Sequence, residues 1–215
     1  MHYCQQCAEP RALEPAGQEE AECPACGSRY DGAARASLFV VTGASGSGKT
    51  TIAAPLAAAL AADCVTFDAD LLLDAAGALS RGEAIDWPAF HAALLAVAHG
   101  IAQSGRATVL LAPVGPDTLE TLPARRWIGD IRYLVLDCPD DVRRERIAAR
   151  PAWRRHDVEE QVSWGRWLRA NVPDRIDTTE GTPAESAAAV ARWVRSQLSP
   201  AAVRDRVSRQ QLQDG

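Results

Sequence analysis

A glycine-rich octapeptide, Gly43-Ala44-Ser45-Gly46-Ser47-Gly48-Lys49-Thr50, carries the residue types needed to grip a polyphosphate. Its pattern, G-x-x-x-x-G-K-S/T, is that of a P-loop. The glycines let the main chain turn at positive φ and approach an anion with no Cβ in the way. A helix begun there adds its positive end. Lys49 brings an ammonium to the terminal phosphates, and the Thr50 hydroxyl can join the coordination shell of Mg²⁺. Lys49 is the only lysine among 23 Lys+Arg residues. A compact ammonium and a planar guanidinium are not interchangeable at a triphosphate, so the one exception stands where the chemistry asks for it. Binding of a nucleoside triphosphate is the expectation.

A second set is Cys4-x₂-Cys7 and Cys23-x₂-Cys26, fifteen residues apart. That is the spacing of a four-thiolate zinc site, with Gly27 supplying backbone freedom after the second pair. Two disulfides would suit a secreted chain, and no secretory layout precedes them. Four cysteine ligands leave no open position, so Zn²⁺ here is expected to be structural and to supply the folding free energy of a segment too short for its own core. Glu9, Glu14, Glu19, Glu20 and Glu22 outnumber Arg11, Arg29 and Arg35 around it. An acidic face argues against nucleic-acid binding and for docking or homodimer formation through the ribbon.

A third set surrounds the loop in sequence. Asp68-Ala69-Asp70 follows the short apolar run Val65-Thr66-Phe67, which would leave both carboxylates on one side if the strand stayed extended. They read as a metal-positioning acid, Asp68, and a base or substrate anchor, Asp70; the plain alternative makes Asp70 a helix cap for Leu71-Leu72-Leu73. Further on, Arg143, Arg144, Arg146, Arg150, Arg154, Arg155, Arg166 and Arg169 cluster. Solvated helix faces would explain many of them, but in this context they suggest a guanidinium clamp on the transferring phosphate.

The elements that must position these groups follow from periodicity. Largely apolar runs predict strands at residues 38–41, 65–67, 108–111 and 131–136, with a short fifth strand at 175–178. Between them lie helices: an Ala-rich one at 52–62 containing Pro55, one capped by Asp86 with Phe90, Leu94, Val97 and Ile101 inward, a charged one at 140–150, one with Trp164 and Trp167, and one at 184–198. Strand-helix alternation means an α/β fold. His91 and His99 read as packed or solvated, and Cys64 and Cys138 as inert buried thiols. Residues 1–36 form the ribbon, 37–198 the main domain with a lid at about 150–158, and 199–215 a disordered tail.

With 215 residues, 47% hydrophobic and 24% charged, the chain has room for one α/β domain and a small appendage. No apolar run reaches the length of a membrane span, and a cytoplasmic setting is expected. The net charge of −5 is not that of a protein that coats nucleic acid.

From residue 37 to 198 the sequence resembles the P-loop small-molecule kinases related to adenylate, shikimate and gluconate kinases, and a bacterial group of AAA-family ATPases or nucleoside-kinase-like proteins. The P-loop carries this, with Asp68-Ala69-Asp70, similar to the D-x-D of shikimate-type kinases, and Arg146-Ile147-Ala148-Ala149-Arg150, similar to the R-I-x-x-R segment of adenylate kinases. The resemblance implies a three-layer fold with a five-stranded parallel sheet in order 2-3-1-4-5. It implies Mg·ATP held by Gly43, Ala44, Ser45, Gly46, Ser47, Gly48, Lys49, Thr50 and Thr51, with Arg146 on adenine and Thr182 and Pro183 in the adenine-reading loop. Mg²⁺ would be held by Thr50 and Asp68, and Lys49, Asp70, Arg150 and Arg154 would be catalytic. The implied reaction is phosphoryl transfer from ATP to a hydroxyl of a small metabolite, nucleoside or antibiotic. The competing class is a nucleotide-gated binding module, or a kinase acting on RNA or protein, with the ribbon recognising the partner. Ala112-Pro113-Val114-Gly115 stands where shikimate kinases carry a glycine-rich substrate motif, and the ribbon is outside the common pattern.

Overall fold

The computed structural model of the chain describes residues 2–4, 6–7, 9–11, 14–15, 20–31, 36–73, 85–152 and 157–198. The expected tail, the middle of the expected lid with Arg154 and Arg155, and residues 74–84 lie outside these residues. At the start, β1 (His2–Cys4) pairs antiparallel with β2 (Glu9–Arg11). Three more short strands, β3 (Glu14–Pro15), β4 (Glu20–Glu22) and β5 (Arg29–Asp31), form an antiparallel sheet.

The larger sheet is wholly parallel. Its strands are β6 (Leu38–Thr42), β7 (Cys64–Asp68), β8 (Ala107–Leu111), β9 (Ile131–Asp137) and β10 (Arg175–Asp177). The spatial order is β7-β8-β6-β9-β10, which is the expected 2-3-1-4-5. Every residue of β6 and β8 is buried, because helices cover both faces of the central strands. On one face α1 (Lys49–Leu60) and α6 (Pro183–Gln197) pack Ile52, Leu56, Val190 and Val194 on Phe39 and Val41. On the other, α2 (Trp87–Ala102) sets Phe90, Leu94 and Leu95 against Leu38, Val40 and Leu110, with Leu119 of α3 (Pro116–Glu120) beside them. The strand-helix exchange is completed by α4 (Asp140–Ala148) and α5 (Val158–Asn171), whose Leu168 packs on Val135.

Local signals place the helices. The Asp86 carboxylate accepts from the Ala89 N–H at 3.0 Å and starts α2 as expected. Its buried stripe differs from the expected one: Val97 is 38% exposed, and Leu95 and Ala98 point inward instead. His99 is a core residue, its Nδ1 3.0 Å from the Trp127 carbonyl oxygen. Helix α1 runs unbroken past Pro55. Thr182 and Glu185 form a reciprocal capping box that begins α6. Because all five strands are parallel, their C-terminal ends bring the P-loop, Asp68, Gly115, Asp137 and Thr178 to one edge of the sheet, where ligands of such folds bind.

Candidate functional site

The P-loop leaves the end of β6 in a conformation only glycine permits at its first residue. Gly43 has φ 154°, and a Cβ there would come within 2.5 Å of both the Leu136 carbonyl oxygen and Ser47 Oγ. Gly48, at φ 93°, is the left-handed residue from which α1 springs, with no side-chain cap on its first N–H groups.

Side chains hold every carbonyl of the loop from Gly43 to Ser47. The Lys49 ammonium donates to the carbonyls of Gly43 and Ala44. Arg143 Nη1 donates to the Ser45 carbonyl at 3.1 Å, and Arg146 Nη1 to that of Gly46 at 3.2 Å. Thr178 Oγ1, just past β10, donates to the Ser47 carbonyl at 3.1 Å. A trans peptide points its N–H opposite its carbonyl, and the described chain has no cis bond. Drawing the Ser45, Gly46 and Ser47 carbonyls toward Arg143, Arg146 and Thr178 therefore turns the amide edge that follows them the other way, toward the unsatisfied helix start. That is an anion cradle.

Lys49 is central to the electrostatics. Desolvation pushes its pKa down to about 8, and the Asp70 and Asp68 carboxylates act against that while Arg150 and Arg143 add to it. Lys49, Asp68, Asp70 and Arg150 thus share one neighbourhood, with the exposed Thr50 on the first turn of α1. The route by which the two acids converge differs from expectation. β7 ends at Asp68 and residues 70–73 are already helical, so the pair does not share the face of an extended strand. It is Asp68, not Asp70, that caps this turn, its Oδ1 accepting from the Asp70 N–H at 3.0 Å. The chain turns at once after β7, and both carboxylates still act on the lysine.

The guanidinium clamp needs correcting. Arg143 is fully buried beneath the P-loop, Nη2 lying 2.5 Å from Asp137 Oδ1. Arg144 pairs with Glu159 at 2.8 Å, Arg166 with Asp140 at 2.7 Å, and Arg169 with both Asp140 and Asp137. These four are occupied in ion pairs on or inside the fold, because the end of β9, α4 and α5 present acids opposite them. Of the described arginines in the cluster, Arg146 and Arg150 remain beside the loop. Arg146 bridges the Gly46 carbonyl to Thr178 and Thr179, its Nη2 donating to the Thr178 carbonyl at 2.6 Å. It therefore ties the phosphate loop to the segment that leads to Thr182 and Pro183. Those two residues begin α6, and the Thr182 hydroxyl is engaged with Glu185. Asp137 is the supporting residue that sequence reasoning missed, whereas Arg143 and Thr178 were noticed there in other roles, as a clamp guanidinium and a strand end.

A family profile described as an AAA domain matches residues 38–171. The chain belongs to this AAA domain family. No curated protein matches it. Among solved structures, its fold is similar to a tunicamycin resistance protein from Deinococcus radiodurans, with TM-score 0.59 and 19% identity over 77% of this chain and 98% of that one. It is also similar to a sugar kinase from Janibacter sp. HTCC2649, with TM-score 0.53 and 23% identity over 78% and 98%. A shikimate kinase from Acinetobacter baumannii gives 0.52 and 20% over 76% and 96%. At these identities the likeness is one of fold.

Ahead of the AAA domain the four cysteines meet. Their Sγ atoms lie within 4.8 Å of one another, with Cys4 to Cys26 and Cys7 to Cys23 both at 3.8 Å. Zinc–sulfur bonds of about 2.3 Å in a tetrahedron separate the sulfurs by about 3.8 Å, so the set fits zinc. All four are free thiols, and their mutual hydrogen bonding, led by Cys26, pushes the Cys7 thiol up to about 12. Main-chain N–H groups support the knuckles: that of Cys7 donates to Cys4 Sγ at 3.3 Å, and that of Gly27 to the Cys23 carbonyl at 2.8 Å. The cluster packs against Trp127 of the AAA domain. Cys64 and Cys138 are buried in that domain, and burial pushes the Cys138 thiol up, as for an inert group. No helix among the described residues is long and apolar enough to cross a membrane.

Proposed function

We propose that the AAA domain is an ATP-dependent phosphotransferase that moves the γ-phosphoryl group of Mg·ATP to a hydroxyl of a small molecule. The observation that carries this reading is the loop itself: three carbonyls held from beneath, an amide edge left for polyphosphate, and two carboxylates acting on its lysine. A nucleotide-binding module alone has no use for the second carboxylate. The fold's likeness to sugar and shikimate kinases supports the same class.

Lys49 would leave the Gly43 and Ala44 carbonyls for the β- and γ-phosphates, which offer it full negative charge in their place. Thr50 and Asp68 are the hard oxygen donors that would hold Mg²⁺, which supplies neutralisation across those phosphates. Asp70 would orient the acceptor hydroxyl and take its proton as that oxygen bonds to the γ-phosphorus and the bond to the ADP oxygen breaks. Arg150, and Arg154 by resemblance, would offset charge spreading over the equatorial oxygens. Arg146 would set the nucleotide base against the loop after β10.

The test is release of ADP from Mg·ATP against a panel of hydroxylated metabolites, nucleosides and aminoglycoside-like compounds. With an acceptor found, Asp70→Asn is expected to lower turnover about a hundredfold while shifting the ATP dissociation constant less than about threefold. Unchanged turnover would reduce Asp70 to part of a turn. We further propose that the cysteine cluster holds one structural Zn²⁺. Metal analysis should then find about one zinc per chain, lost together with ribbon structure on chelation; a folded ribbon in metal-free protein would refute it.

A further inference from the structure

Beyond the residues that would touch ATP, the structure assigns a positioning role to Gln161, and this rests on the nucleotide-binding reading above. Ser45, the third residue of the P-loop, has both of its main-chain polar groups held by side chains. Its N–H donates to Gln161 Oε1 at 2.8 Å, and its carbonyl accepts from Arg143 Nη1 at 3.1 Å. The two holding groups are joined on one helix face. Gln161 and Gly165 are four apart on α5, and the Arg143 guanidinium lies flat against Gly165, where an added Cβ would approach Nη2 to 2.9 Å. Asp137 completes the set by pairing with Arg143 Nη2.

The chemistry requires an amide at position 161. An N–H needs an acceptor oxygen, and next to a polyphosphate site a neutral carbonyl provides one without the repulsion a carboxylate would add. Within the loop the Ser47 N–H closes an internal turn on the Ala44 carbonyl at 3.2 Å, whereas the Ser45 N–H is held from outside by Gln161. Holding Ser45 thus fixes the torsions on either side of the residue that leads into Gly46, whose φ is 85°. Gln161 acts on phosphoryl transfer through the loop, and α5 is the rigid element from which it does so.

The experiment compares the full-length wild type with Gln161→Ala and Gln161→Glu. Three readouts are used: exchange of the Ser45 amide hydrogen without nucleotide, Mg·ATP affinity, and the rate of Mg·ATP consumption at saturation. In Gln161→Ala the Ser45 amide should exchange about tenfold faster, and the saturated rate should fall about tenfold with less than a threefold change in affinity. Gln161→Glu keeps an acceptor oxygen, so it should restore the slow exchange yet bind Mg·ATP about tenfold more weakly. Unchanged exchange or rate in the alanine variant overturns the assignment, as does a rate loss that tracks a fall in melting temperature. Failure of the wild type to bind Mg·ATP would instead sink the nucleotide reading, while leaving the exchange result free to stand.

Discussion

Replacing Lys49 with alanine is expected to slow phosphoryl transfer by about three orders of magnitude while leaving the melting temperature close to that of the wild type. Among the described residues the side chain donates its hydrogen bonds to carbonyls at the start of its own loop, so the fold loses little with it. What is lost is an ammonium that can follow charge onto the leaving and transferring phosphates. Turnover within tenfold of the wild type would refute the assignment. The same amine sets a pH dependence. In the free protein desolvation has lowered its pKa to about 8, and a bound triphosphate favours the ammonium and raises that value. Below pH 8 the group is charged with or without nucleotide and affinity is flat on its account. Above pH 8 binding must take up a proton, so affinity falls by up to about tenfold per pH unit. Lys49→Arg does not titrate in this range and should show no such slope; an equal slope in both proteins would place the titrating group elsewhere.

The second large effect is on stability. Asp137→Ala should cost about 3–5 kcal/mol, because it strands the fully buried Arg143 guanidinium and leaves Arg169 facing it without a carboxylate between them. Thermal unfolding should shift down by roughly 10 °C. Substituting both partners with apolar residues, as in Asp137→Val with Arg143→Met, should recover most of that loss. It would not recover the donor to the Ser45 carbonyl, so Mg·ATP binding should stay weakened in a stable protein. An Asp137→Ala protein that melts within 2 °C or so of the wild type would show that the pair contributes little.

How much of this was legible depends on whether the relevant signal is local. The P-loop and the four cysteines are written in consecutive residue types, and the structure places each set as those types demand. The central strands were legible as unbroken apolar runs, since a strand covered on both faces needs no alternation. Their spatial order came from resemblance, not from any run. The role of the arginines was not legible in composition. Arg143 and Arg144 are neighbours in a uniformly charged stretch, yet one is fully buried and the other meets Glu159 at the surface. A signal was present: Arg143 stands four residues before Ile147, the buried apolar residue of α4, and so lies on its inward face. Gly165 gives the guanidinium room, but that depends on how α5 packs on α4, which no short motif records. Asp68 and Asp70 were found as a pair but for the wrong geometric reason, because a carboxylate hydrogen-bonded two residues ahead ends a strand as readily as it extends a binding edge.

The donors that hold the loop's carbonyls are spread along the polypeptide, from the start of α1 through α4 to the residue after β10. During synthesis the glycine segment emerges early, but Thr178 is added more than a hundred residues later. No amino-terminal fragment can therefore carry a finished cradle. Capture of nucleotide has to wait until nearly the whole domain has left the ribosome, so the ligand selects for completed chains.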